Sequence, residues 1–125
     1  MKELLLFNVS PALRKSIEIL CALQDVVVKE IETNQFGMPL GVLAGVIEDT
    51  GAVIETTSES IADEMLLFVN FDQKSLSEFL AHYRAAGIPK VNLKAGLTPN
   101  NVSWNVYMLH EELLEEHAAM SKLKK

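Results

Sequence analysis

Few residues in this 125-residue chain combine a chemically useful type with a useful spacing, and each has a plainer alternative use. Asp49-Thr-Gly-Ala52 has the form of the tetrapeptide that carries the catalytic carboxylate of aspartic proteases. That chemistry needs two such aspartates sharing a proton in an all-β frame. Here one copy stands alone, behind Glu48 where an apolar strand residue belongs, so the tetrapeptide reads as a turn. His110 and His117 lie seven residues apart, two turns along one helix, with Glu111, Glu112, Glu115 and Glu116 between them. Ligands for one metal ion on one helix sit three or four residues apart, so these glutamates read as a solvated face and no metal site is assigned. Cys21 falls on the apolar side of a helix and reads as a small core residue rather than a nucleophile. There is no Gly-rich phosphate loop, no serine elbow and no paired histidine–carboxylate motif. No cofactor and no catalytic residue are therefore expected.

The elements that would position any site come in two similar pieces. Leu4-Leu-Leu-Phe-Asn-Val-Ser10 is followed by Leu13, Ile17 and Leu20 at helical spacing. Met65-Leu-Leu-Phe-Val-Asn-Phe-Asp72 is followed by Leu76, Leu80 and Tyr83. Each helix then leads to a short β-branched segment, from Val26 and from Val91. Ser10-Pro11 is a helix start, as is Asp72 or Ser75, and Gly87 with Pro89 is a stop. Aligning the letters requires one extra residue between strand and helix in the second copy.

Both leading strands are apolar at every position, as strands buried on two faces should be, whereas Val91–Leu97 alternates like an edge strand. These features predict an α+β fold: a ferredoxin-like βαββαβ sandwich, order 4-1-3-2, with an acidic insertion and an additional C-terminal helix. The central strands are expected to be parallel, with both helices on one side of the sheet. The single domain divides into a first βαβ half (1–31), an insertion (32–64), a second half (65–97) and a closing joint and helix (98–125). In the insertion, glycines recur at positions 37, 41 and 45, a ridge that permits close backbone approach, and Ala52–Glu55 is a possible short strand. The second sheet face needs a cover, for which the closing helix, the insertion and a second subunit are the candidates.

Two candidate ligand sites follow from this arrangement. Asn8 and Asn70 would stand side by side at the carboxyl ends of parallel central strands, near two helix amino termini. Thr98 and Asn101 offer caps to the closing helix, and Trp104 would anchor that helix to the core.

The stretch Leu97-Thr-Pro-Asn-Asn101-Val-Ser-Trp104 resembles an uncharacterised group of small bacterial proteins known only as a domain of unknown function. Members end in a similar Leu-Thr-Pro-x-Asn-x-x-Trp segment followed by Leu-x-x-Glu-Leu-x-x-Glu-His. Leu97, Thr98, Pro99, Asn101 and Trp104 match the first, and Leu109, Glu112, Leu113, Glu116 and His117 match the second. Gly96 stands where a larger apolar residue is expected, and Pro39-Leu-Gly-Val-Leu-Ala-Gly45 is similar to the group's insertion. The resemblance implies no established activity.

A net charge of −6, with no basic residue from Glu30 to Gln73, argues against a nucleic-acid partner. The apolar stretch before Asn8 is too short for a signal peptide, and no run is long enough to span a bilayer, so no membrane partner and a cytoplasmic location are expected. The reading is a non-catalytic regulatory module that binds a small ligand or a protein, acting as a homo-oligomer. The alternative is a small enzyme with its site near Thr98, Asn101 and Trp104, or at Asn8 and Asn70.

Overall fold

The computed structural model describes residues 2–48, 51 and 61–123. Apart from Gly51, the protease-like tetrapeptide and the possible Ala52–Glu55 strand lie outside the described residues. One sheet contains β1 (Glu3–Phe7), β2 (Val27–Ile31), β3 (Met65–Val69) and β4 (Leu93–Gly96). The helices are α1 (Pro11–Leu23), α2 (Leu40–Leu43), α3 (Gln73–Ala85) and α4 (Val106–Leu123), with a 3-10 turn at Thr33–Gln35. No helix among the described residues is long and apolar enough to cross a membrane.

The strands lie in the order β2-β1-β3-β4, which corrects the expected 4-1-3-2. β1 and β3 are central and adjacent as anticipated, but they are antiparallel rather than parallel. Each unit instead keeps its own second strand: β2 pairs parallel with β1, and β4 pairs parallel with β3. A parallel neighbour requires a long crossover, and the 13-residue helices α1 and α3 provide it. With both outer edges taken locally, the inner edges of β1 and β3 are left to join the units.

Asn8 explains the direction of that joint. Its side-chain amide donates to the carbonyl oxygens of Ile61 (2.8 Å) and Asp63 (3.3 Å). The chain leaving the insertion is thereby tied to the end of β1. Met65 then starts opposite Phe7, and β3 runs back along β1 until Val69 faces Glu3.

The two units match more closely in backbone than in letters. Asn8 and Asn70 both take left-handed φ (59° and 64°), two residues before the helix caps Ser10 and Asp72. Asp25 and Gly87 both take left-handed φ beyond the helix ends (56° and 71°). All these counterparts are 62 residues apart, so the second copy needs no extra residue. Ser10 Oγ accepts from the Leu13 amide at 3.3 Å. Asp72 Oδ1 accepts from the Ser75 amide at 2.7 Å, while Ser75 Oγ accepts from the Asp72 amide at 3.0 Å, closing a reciprocal box. The Ser75 amide first, then its side chain, holds the Asp72 carboxyl below its ordinary range.

Side-chain alternation divides the core into two layers. Leu4, Leu6, Leu66 and Phe68 meet Ile17 and Leu20 of α1 and Phe79 and Tyr83 of α3, so both helices share one face as expected. Leu5, Phe7, Met65 and Leu67 meet Phe36, Leu40 and Leu43 of the insertion and Leu109 and Leu113 of α4. Phe36 is fully buried, edge-on to Phe7 and to Tyr107, each at 6.0 Å between ring centroids. Insertion and closing helix together cover the second face, and a second subunit is not needed for that purpose.

Asn8 carries both the tie and a backbone conformation that β-carbons disfavour. Asn8→Ala should lower stability by about 2–3 kcal/mol, from the lost hydrogen bonds and the left-handed φ together. Asn8→Gly should cost about 1 kcal/mol less, because glycine adopts that φ freely. Urea unfolding of the two variants beside the parent checks the order; equal losses would remove the backbone contribution.

Candidate functional site

The Thr98–Asn105 segment is a joint between β4, the insertion and α4. Asn101, only 7% exposed, accepts from the Thr98 amide at 2.8 Å and donates to the Gly96 carbonyl at 3.0 Å. Thr98 Oγ1 accepts in return from the Asn101 amide at 3.2 Å. The pair stabilises its own turn and does not cap α4, which corrects the sequence expectation. The cap is Asn105, fully buried, whose Oδ1 accepts from the Met108 amide at 3.0 Å. Thr98 and Asn101 precede the helix by too many residues to reach its first amides.

Trp104 stands just before α4 and is half-buried against the second-face core. Its carbonyl accepts from the Leu40 amide at 2.7 Å, and the Val102 carbonyl accepts from the Gly41 amide at 2.8 Å. These otherwise unpaired amides at the start of α2 are thus satisfied by backbone from the joint. A β-carbon on Gly41 would stand 2.4 Å from Val102 Cγ2, so the expected close approach at the glycine ridge occurs here, at Gly41.

The antiparallel joint separates Asn8 from Asn70. Asn8 follows Phe7, which faces Met65, whereas Asn70 follows Val69, which faces Glu3; they stand at opposite ends of the sheet. The shared anion site expected between them does not form. Cys21 is fully buried, and burial, then the nearby Glu18 carboxylate, pushes its thiol up to about 12, as befits a core residue.

At the Asn8 end, titratable groups gather that the sequence did not bring together. His110 Nε2 stands 2.8 Å from Asp63 Oδ2. An open groove beside them is lined by Asp63, Glu64, Lys90, Asn92 and His117. Glu64 reaches across to accept from the Ser10 amide at 3.3 Å. Among the described residues, no group of three His, Cys, Asp or Glu side chains is placed to hold a metal ion.

Beside that groove lies a better-enclosed pocket of about 350 Å³. Its apolar walls are Leu66 from β3, Leu80 from α3, and Ile88 and Val91 from the loop between α3 and β4. Tyr83 closes one side, its hydroxyl donating to the Pro89 carbonyl at 2.6 Å; burial, then Glu64, pushes that hydroxyl up to about 12. Three cations share the lining: Arg84, Lys90 and Lys94. Lys94 is partly buried and donates to the Val91 carbonyl at 2.7 Å. Burial, then Lys90, then Arg84, lowers its pKa from the ordinary lysine value. The three basic groups are spaced 84, 90 and 94 along the chain and meet because a helix end, a loop and an edge strand converge.

Residues 64–120 match the family model described as a domain of unknown function, DUF3783. This match bears out the resemblance to a family of unknown function. Comparison with curated proteins and with solved structures gives no match.

The matched stretch contains β3, α3, β4, the joint and most of α4. Every residue lining the enclosed pocket lies inside it, between Leu66 and Lys94. The Asn8 tie and the covers α1 and α2 lie outside. The lining of the pocket is therefore contained in the matched stretch.

Close packing at Gly41 gives a direct check on the joint. Gly41→Ala should cost about 1–3 kcal/mol by overpacking against Val102 and Ile47. Adding Val102→Ala should recover the part of that loss due to Val102 and leave the part due to Ile47, a coupling that a double-mutant cycle measures. Additive losses would show that the two residues do not press on each other.

Proposed function

We propose that this protein is a non-catalytic binding module whose small ligand occupies the pocket between the end of α3, the α3–β4 loop and β4. The observation that carries the reading is the pocket's construction. Ligand sites are concave, mostly apolar and furnished with a few convergent polar groups, with volumes of roughly 300–1,000 Å³. A pocket of about 350 Å³ with four aliphatic walls and three converging cations has that character. Thr98 and Asn101 spend their polar groups on their own turn, and Asn8 spends its amide on the Ile61 and Asp63 carbonyls. That leaves those residues fewer polar groups for a ligand than the cation-lined pocket has.

A small enzyme is the second reading, and the observation favouring it is the His110–Asp63 pair. A carboxylate that orients an imidazole is what a general base needs. The groove beside the pair is open, so water would not be excluded from a reaction there. His110→Ala should silence any activity of this kind while leaving the enclosed pocket intact.

The binding reading is tested by thermal melting against a panel of small metabolites, repeated on Ile88→Trp and Leu80→Trp, each of which fills the pocket. Some panel members should raise the melting temperature of the parent, and the shift should vanish in whichever filled variants fold. A panel without any shift, or shifts that survive in the filled variants, would overturn the assignment.

A further inference from the structure

We propose that the pocket takes a small organic anion with an apolar body: a carboxylate or phosphate head among Arg84, Lys90 and Lys94, and a hydrocarbon portion against Leu66, Leu80 and Ile88. This rests on the binding reading above and adds the ligand's chemical class.

The charge pattern carries the argument. The chain has 11 basic against 17 acidic residues, yet three bases line one pocket and no acidic side chain lines it with them. Among the described residues, ion pairs join Arg14 to Glu18 and Glu30 and Lys29 to Glu3, His110 lies against Asp63, and none of these contacts involves Arg84, Lys90 or Lys94. The acids in the adjoining groove already have partners: Asp63 faces His110, and Glu64 accepts from the Ser10 amide. Like charges held together with no ion pair among the described residues repel; burial first, then Lys90 and Arg84, lowers the pKa of Lys94. An anion placed among the three relieves that repulsion and gains charge-assisted hydrogen bonds in a partly desolvated site.

The walls exclude a bare polyanion as the natural occupant. Inorganic phosphate would use the cations and leave the aliphatic surface wet, whereas a ligand with a hydrocarbon portion also removes that surface from water. Arg84 and Lys90 are exposed at the rim and Lys94 is partly buried, which sets the head near the mouth and the body inward.

Isothermal titration with matched probes tests the class: octanoate and octyl phosphate as anions, 1-octanol as the neutral body, and inorganic phosphate as the bare head. Both amphipathic anions should bind more tightly than octanol and phosphate, and their affinity should fall with added salt. Arg84→Gln and Lys90→Gln change exposed side chains and should each weaken octanoate by about threefold to tenfold while leaving octanol unchanged. Octanol binding as tightly as octanoate would overturn the anion inference and leave the pocket reading standing. Octanoate binding equally well to Ile88→Trp, or no binding by any probe, would sink the pocket reading and this inference with it.

Discussion

The antiparallel pairing of β1 with β3 is the constraint on which the rest of the molecule depends. Leu4–Phe7 and Met65–Val69 are buried without interruption, so neither strand has a face that water can solvate. Burying an aliphatic or aromatic side chain of this size is worth about 1.5–3 kcal/mol relative to exposure. Two such strands side by side demand a cover on both faces. One cover comes from the repeated helices α1 and α3. The other comes from the elements the repeat does not contain, Phe36 and α2 from the insertion and α4 from the chain's end.

Direction decides where chemistry is possible. Because β3 runs back along β1, the end of the first unit's strands meets the start of the second's. Asn8, Asp63, Glu64, Lys90 and His110 therefore collect at one end, beside the pocket beneath the end of α3. The Thr98–Asn105 joint follows β4 at the other end, where its polar groups hold the turn, the start of α2 and the start of α4. One end of the sheet is fastened internally, and the other gathers three cations, in no ion pair among the described residues, around an apolar hollow.

Much of this frame was legible in the sequence because it is encoded locally. Ser10-Pro11 and Asp72 are caps by chemistry alone, and the unbroken apolar runs mark β1 and β3 as central. The strand order was not legible, since the apolar pattern specifies burial and says nothing about which edge meets which. The parallel assignment of the central strands, and with it the Asn8–Asn70 site, failed for that reason. Left-handed φ at Asn8 and Asn70 was hidden because a letter-by-letter match of Leu-Leu-Phe shifts the repeat by one residue. Asn105 was overlooked as the cap because Thr98 and Asn101 carry the same chemistry nearby. The pocket had one readable signal: Arg84, Lys90 and Lys94 follow one another with no acidic residue between them. Their convergence needs the turn of α3 into β4, which spacing alone does not supply.

The measurement that bears most directly on this account is the set of cross-strand nuclear Overhauser contacts between β1 and β3 in isotopically labelled protein. Antiparallel pairing places Phe7 opposite Met65, Leu5 opposite Leu67 and Glu3 opposite Val69. Backbone contacts should therefore link Phe7 with Met65 and Glu3 with Val69. Contacts linking Glu3 with Met65 and Phe7 with Val69 would mean parallel strands. They would return Asn8 and Asn70 to one end and remove the basis for the site described here.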